Sequence, residues 1–125
     1  MADTNCSILI VDDEKINVTL FSAQLNGANY ATLTANSGQE ALQLARERHP
    51  DLILLDVMMP HMDGFEVASR LKSHEATRNI PIIMVTALDD HESMLRGLEC
   101  GAEEFLTKPV LSAELLLRVR NLLKL

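Results

Sequence analysis

DLILLDVMMP, residues 51–60, places four consecutive aliphatic residues between two aspartates and ends on a proline. A short apolar run of this kind, followed by turn residues, predicts a strand that is buried on both faces. Asp56 is then the last residue of that strand, and its carboxylate lies at the carboxyl edge of a sheet. Ligands of open α/β sheets bind at this edge, so Asp56 is the first candidate for a functional residue.

Four other segments share the strand pattern, and a helix pattern follows each of the five. The other predicted strands cover residues 7–11, 30–34, 80–85 and 103–107. The predicted helices begin near residues 15, 37, 63, 90 and 112, and the first, fourth and last of them end near residues 28, 100 and 125. Strands that alternate with helices in this way predict an α/β protein with a parallel sheet and helices on both of its faces.

Local signals support several of these boundaries. Ser37 stands three residues before Glu40, which is the spacing of a capping box at a helix start. Pro81 has no N–H to donate, so it must lie at the beginning of its strand. The first helix carries apolar or small residues at helical spacing, flanked by two larger ones: Ile16, Leu20, Ala23 and Gly27, with Phe21 and Leu25. The last helix is expected to turn five residues inward: Leu115, Leu116, Val119, Leu122 and Leu123.

Length and composition narrow the class of protein. The 125 residues fit one domain. A net charge of -7 and the absence of tryptophan argue against direct contact with nucleic acid. Cys6 and Cys100 lack metal-like spacing, which favours a reduced compartment. The sequence has neither a signal-peptide pattern nor an apolar run of about 18 residues, so we expect a cytoplasmic protein without a membrane contact.

Polar side chains stand at the ends of four predicted strands. They are Asp12 and Asp13, Asp56, Thr86, and Lys108. Because parallel strands all end at one edge of the sheet, these residues are expected to meet there. Three converging carboxylates repel each other unless a cation is present, and hard oxygen ligands select Mg²⁺, Mn²⁺ or Ca²⁺ over zinc. A carboxylate beside such an ion, a lysine and a hydroxyl can accept a phosphoryl group, so we expect Asp56 to form an aspartyl phosphate.

The chain resembles the receiver domains of two-component response regulators over nearly its whole length. Four motifs carry the resemblance: Ile10-Val-Asp12-Asp13-Glu14, Asp56-Val-Met-Met-Pro60-His-Met-Asp63-Gly64, Val85-Thr86-Ala87 and Phe105-Leu-Thr-Lys108-Pro109. The resemblance implies a flavodoxin-like (βα)5 three-layer sandwich whose five-stranded parallel sheet has the order 2-1-3-4-5. It also implies one receiver domain over residues 1–125, either alone or as the N-terminal part of a longer protein.

The resemblance further implies a phosphoacceptor and a metal site. Asp56 would take its phosphoryl group from a sensor histidine kinase or a phosphotransfer protein. Asp13, Asp56 and the backbone carbonyl of Met58 would coordinate Mg²⁺ directly, with Mn²⁺ as a substitute, and Asp12 would act through water.

A switch is implied as well. Thr86 and Lys108 would contact the phosphoryl group, Thr86 would move toward it, and Phe105 would turn inward into the space released. A core aromatic is the alternative interpretation of Phe105. The bond between Lys108 and Pro109 would be cis.

Residues around these positions have weaker assignments. Glu14 and Met58 flank the expected phosphate and would tune how fast water hydrolyses it. Ala87 is small and would leave access for a phosphodonor. Asn17 lies one helical turn beyond Asp13, where it could reach the site or serve only the helix cap and surface.

The function expected first is a phosphorylation-controlled signalling switch that catalyses only its own phosphorylation and dephosphorylation. A phosphohydrolase with an aspartyl nucleophile is the first rival, but Met58 stands where that class has a second acid. A nucleotide-binding enzyme would need a glycine-rich motif, and neither a G-x-G-x-x-G nor a Walker sequence occurs. A receiver-shaped interaction module that never meets phosphate is the remaining alternative.

The output of the switch stays open. The last helix resembles that of receivers fused to cyclic-dinucleotide enzymes and also that of receivers fused to DNA-binding domains, so a missing output domain could be enzymatic. A homodimer would use the last two helices and the fifth strand.

Overall fold

Five strands and five helices alternate along residues 6–87 and 91–124, which are the residues that the computed structural model describes. The strands are β1 (Ser7–Val11), β2 (Ala31–Ala35), β3 (Leu52–Asp56), β4 (Ile82–Thr86) and β5 (Glu104–Thr107). The helices are α1 (Lys15–Gly27), α2 (Gly38–Arg48), α3 (Gly64–Ser73), α4 (His91–Glu99) and α5 (Ser112–Leu123). None of these described helices combines the length and the apolar character needed to cross a membrane.

The strands form one parallel sheet in the order β2-β1-β3-β4-β5, which confirms the expected α/β fold and strand order. β3 lies at the centre, and its residues from Leu52 to Asp56 are all buried. Val11 of β1 pairs with Leu55, and Asp56 pairs with Val85 of β4. This register brings the carboxyl ends of the three central strands to the same level.

Both faces of the sheet carry a core, because successive strand residues point to opposite sides. Leu9, Ile53 and Met84 pack on the face that α2 and α3 cover. Their neighbours Ile8, Leu54 and Val85 pack on the other face, with residues of α1 and α5. The uninterrupted apolar runs in the sequence therefore reflect a sheet that helices cover on both faces.

Two helices begin with side-chain caps, and the sequence predicted the first of them. The Ser37 hydroxyl accepts the backbone N–H of Glu40 at 3.1 Å, as in a capping box. The Glu40 carboxylate accepts the N–H of Asn36 at 2.9 Å, one residue before the cap. The Asp63 carboxylate accepts the N–H of Glu66 at 2.9 Å and caps α3 in the same way. These caps satisfy backbone donors that the first helical turn leaves without partners.

Three strands start one or two residues later than predicted, and the structure explains two of these differences. The N–H of Tyr30 donates to Leu25 at the end of α1, so pairing of β2 with β1 begins at Ala31. Pro81 has no N–H, and β4 begins at Ile82. β5 begins at Glu104 rather than at residue 103. The predicted helix start at Asp90 and helix end at Leu125 lie outside the described residues.

The buried side of α1 differs from the predicted stripe. Phe21 and Leu25 are buried, whereas Ile16 is 81% exposed and Leu20 is 53% exposed. α1 carries apolar residues on two sides, and only one of them can face the sheet. In α5, Leu115 and Val119 are buried, and the other residues expected inside are partly buried against the same core: Leu116, Leu122 and Leu123.

A lysine of α3 binds several groups at the edge of the sheet where β4 and β5 begin. Nζ of Lys72 donates to the carbonyl oxygens of Arg78 at 3.1 Å and Ile80 at 2.9 Å, and it pairs with Glu103 Oε2 at 3.0 Å. The other carboxylate oxygen of Glu103 accepts the N–H of Ile82 at 2.7 Å. One ammonium group thus holds together α3, the loop after it and the start of two strands.

Lys72→Met is expected to lower the free energy of unfolding by about 2 kcal/mol, because two carbonyls and a carboxylate lose a charged donor. Arg70→Met is the matched control, since it removes an exposed helix ion pair with Glu66 at 2.7 Å and should cost about 0.5 kcal/mol or less. Urea unfolding measures both variants. Equal losses would contradict the role of Lys72.

Candidate functional site

Three carboxylates meet at the carboxyl edge of the sheet. Asp12, Asp13 and Asp56 each offer an oxygen, and these oxygens lie within 4.8 Å of one another. Asp12 is 2% exposed and Asp56 is 5% exposed, whereas Asp13 is exposed to solvent. The adjacent ends of β1 and β3 bring them together. Three converging hard oxygen donors fit a Mg²⁺ or Mn²⁺ ion and do not suit a metal that prefers thiolate.

The backbone around Asp12 fixes its carboxylate. Its N–H donates to the carbonyl oxygen of Ala35 at 3.1 Å, and its Oδ1 accepts the N–H of Glu14 at 2.9 Å. The remaining oxygen, Oδ2, faces Lys108. Asn17 donates its amide to the Glu14 side chain at 2.8 Å, within the first turn of α1. This contact supports the local interpretation of Asn17 rather than one within the carboxylate cluster.

Lys108 reaches the carboxylates from the other side of the site. Its Nζ lies 3.4 Å from Asp56 Oδ1 and 3.5 Å from Asp12 Oδ2. Its backbone N–H donates to the carbonyl oxygen of Thr86 at 2.7 Å, and its peptide bond to Pro109 is cis. The ammonium group therefore offsets part of the repulsion between two buried carboxylates.

The remaining predicted positions lie on β4 and β5 or in the loops that follow β3 and β4. Thr86 ends β4 and is fully buried. The side chains of Met58 and Ala87 are exposed, and both residues lie in loops that follow central strands. Phe105 is half-buried and packs against the core on the α2 and α3 side of the sheet. These positions leave the site open to solvent beside a buried acid.

The pKa of Asp56 is raised from an ordinary value of 3.8 to about 6, chiefly by burial. The neighbouring Asp12 charge also raises this pKa, the Lys108 charge and hydrogen bond lower it, and the Asp13 charge raises it. The physical cause is that a charged carboxylate in this position loses hydration and faces other acids. A bound cation would favour the ionised form.

The raised pKa predicts how stability of the metal-free protein depends on pH. Folded Asp56 holds its proton more tightly than unfolded Asp56, so the contribution of Asp56 to the free energy of unfolding falls between about pH 4 and pH 6 and stays lower above that. Asp56→Asn should therefore stabilise the metal-free protein by about 1–3 kcal/mol at pH 8 and by much less at pH 4. Urea unfolding in a chelator measures the difference.

Glu47→Gln controls for the loss of one negative charge, because it changes an exposed residue of α2. It should have little effect at either pH. The prediction fails if both substitutions raise the free energy of unfolding equally. It also fails if Asp56→Asn stabilises the protein as much at pH 4 as at pH 8.

Gly64 is a part of the site that its position at a predicted helix start did not indicate. Its N–H donates to the carbonyl oxygen of Val57 at 2.8 Å, and a Cβ placed on it would lie against the backbone of Asp56 and Val57. The glycine lets the start of α3 pack directly on the end of β3. The signal in the sequence was the pair Asp63-Gly64 at a helix start.

Comparisons with known proteins agree with this geometry. The family model for the response regulator receiver domain matches residues 8–120. The chain is 50% identical over 115 residues to the response regulator PleD of Caulobacter vibrioides, a match that covers 92% of this chain and 25% of PleD. It is 43% identical over 107 residues to the polar-differentiation response regulator DivK of Brucella ovis, covering 83% of this chain and 85% of DivK.

Solved structures show the same fold. A putative response regulator from Chloroflexus aurantiacus has a TM-score of 0.91 and 38% sequence identity, over 95% of this chain and 98% of that one. The matched family, the strand order and the carboxylate cluster lead to one assignment. This chain belongs to the receiver domains of two-component response regulators.

Proposed function

We propose that this receiver domain accepts a phosphoryl group on Asp56 and that the added charge switches a surface read by a partner or an output domain. The observation that carries most of the support is the position of Asp56. Its carboxylate is nearly buried, and it lies beside two other acids and 3.4 Å from the Lys108 ammonium. A nucleophilic carboxylate next to cationic groups is what phosphoryl transfer to an aspartate requires.

The cation of this proposal is Mg²⁺, with Mn²⁺ as a substitute. Asp13, Asp56 and the backbone carbonyl of Met58 would hold it directly, and Asp12 would act through water. When bound, the ion supplies positive charge that draws electron density from the phosphoryl oxygens. The acidic cluster at 4.8 Å or closer supports this ligand set.

The chain's own residues carry the transfer step. A carboxylate oxygen of Asp56 forms the new bond to phosphorus, and the bond between phosphorus and the donor breaks with its electron pair leaving on the donor. Lys108 supplies a fixed positive charge beside the acceptor oxygen, and the Thr86 hydroxyl would bind a phosphoryl oxygen. The donor is a phosphohistidine of a sensor histidine kinase or of a phosphotransfer protein. The domain turns over no other substrate.

The switch converts the new charge into a change of surface. Thr86 would move toward the phosphoryl group and Phe105 would turn inward. Exposed leucines of α4 and α5, Leu95, Leu98 and Leu117, support a homodimer through α4, β5 and α5 as one readout. Residues 1–125 would act as one receiver domain in the cytoplasm, either alone or fused to an output domain, without direct contact to nucleic acid or membrane.

Incubation with Mg²⁺ and acetyl phosphate tests the proposed function. We expect a mass gain of about 80 Da that is stable in acid and labile in base, as for an acyl phosphate. A chelator should prevent the gain. Absence of the gain with Mg²⁺ present would contradict the proposal, and repeated turnover of phosphomonoesters would favour the phosphohydrolase.

A further inference from the structure

Helix α4 rests on the sheet through a glycine. Gly97 is the buried residue of α4, and the other residues from His91 to Glu99 are exposed or half-buried. A Cβ added at Gly97 would lie 2.8 Å and 3.0 Å from ring carbons Cδ2 and Cε2 of Phe105, and 2.9 Å from Sδ of Met84. These separations are shorter than van der Waals contact. The helix can approach this closely only because residue 97 has no side chain.

A glycine at position 97 lowers the stability of the helix, and the close approach of α4 to the sheet is a reason to have one there. Glycine destabilises a helix interior relative to alanine, because the unfolded chain has more freedom to lose. An isolated glycine within a helix therefore often marks tight packing. Gly27 of α1 differs from Gly97 in this respect, because nothing lies within 4 Å of a Cβ added there.

The residues beneath Gly97 belong to the strands that carry the site. Met84 of β4 pairs with Phe105 of β5 in the sheet. Thr86 lies two residues beyond Met84 and therefore on the same face of β4. Lys108 lies three residues beyond Phe105 and donates its N–H to the Thr86 carbonyl oxygen at 2.7 Å. The residues that contact α4 thus lie only two or three positions before the site residues of the same two strands.

α4 also contacts helix α3. The Arg96 guanidinium lies 4.3 Å from the centre of the Phe65 ring on α3. Leu95 and Leu98, on either side of the buried glycine, are exposed. A helix with so small a buried surface can shift when one of its supports changes.

We propose that Gly97 is a positioning residue that couples the location of α4 to the Phe105 side chain. With bare backbone at position 97, the Phe105 ring and the Met84 sulfur together determine where the helix rests. This inference rests on the proposed function, in which phosphorylation of Asp56 turns Phe105. A ring that turns inward leaves its place beside Gly97 and removes part of the support beneath α4, and Leu95 and Leu98 move with the helix.

A double-mutant cycle tests the contact without any phosphorylation. Gly97→Ala should lower the urea midpoint, whereas Gly27→Ala should not. In the Phe105→Ala background, Gly97→Ala should cost about half or less of what it costs in the wild type, because the ring no longer opposes the methyl group. If Gly97→Ala alone does not fold, folding of the double variant gives the same result. Strictly additive losses would overturn the inference.

Hydrogen exchange of the α4 amides tests the coupling. Beryllofluoride with Mg²⁺ should change exchange across residues 91–99 of the wild type. In Gly97→Ala, exchange should already be faster in the free protein and respond less to beryllofluoride, while phosphoryl uptake from acetyl phosphate continues at the wild-type rate. A wild-type-like response in Gly97→Ala would overturn the coupling.

Failure of the proposed function has a different signature. A wild-type chain that takes up no phosphoryl group would overturn the switch and with it the coupling through Gly97. The double-mutant cycle would still decide whether Gly97 and Phe105 are in energetic contact.

Discussion

Asp56→Asn is expected to abolish phosphoryl incorporation completely. Asparagine keeps the size of the side chain, but its amide cannot form the acyl phosphate that a carboxylate forms. The fold should persist, because the substitution removes a buried charge whose pKa is raised to about 6. Mass spectrometry after incubation with Mg²⁺ and acetyl phosphate measures the result, and circular dichroism verifies that the variant is folded.

Asp51→Asn is the matched control, since Asp51 precedes the same strand that Asp56 ends. Its carboxylate lies at the opposite edge of the sheet and accepts the N–H of Ser7 at 2.7 Å, a bond that an amide oxygen can also accept. Phosphoryl uptake should be unchanged in this variant. Base-labile phosphate that remains in Asp56→Asn would place the acceptor on a neighbouring acid, Asp12 or Asp13.

Gly64→Ala is expected to destabilise the fold by about 3 kcal/mol and to slow phosphoryl uptake. The added Cβ would meet the carbonyl oxygen of Asp56 and, at 2.7 Å, the Cα of Val57. Both neighbours are backbone atoms of the central strand and its loop, so they cannot rotate away as a side chain would. The start of α3 must then move, and with it the loop that carries Met58. Urea unfolding and the rate of mass gain measure the two effects.

Gly27→Ala provides the comparison for this glycine as well. A Cβ there meets nothing within 4 Å, so alanine should be neutral or stabilise the protein by up to about 1 kcal/mol through its better helix propensity. Similar small effects for Gly64→Ala and Gly27→Ala would show that the start of α3 tolerates a side chain. The packing of α3 on Asp56 would then not be tight.

Much of the candidate site could be predicted from the sequence, because apolar runs show where the strands end. The apolar run that stops at Asp56 locates an edge of the sheet, and the run that stops before Asp12 locates its neighbour. Parallel pairing then requires the two acids to lie close together. The raised pKa of Asp56 could not be read in this way, because it depends on how much water the folded chain excludes and on the distance to Lys108.

By itself, the sequence determined the alternation of strands and helices, the parallel sheet and the residues at its carboxyl edge. These features follow from periodicity and turn residues within short segments. Tertiary structure decided which side of α1 is buried, which carbonyls Lys72 binds, and that Gly64 and Gly97 pack against backbone and ring. Lys108 and Asp12, 96 residues apart, meet at 3.5 Å. Such contacts depend on the path of the whole chain, and local periodicity holds no information about it.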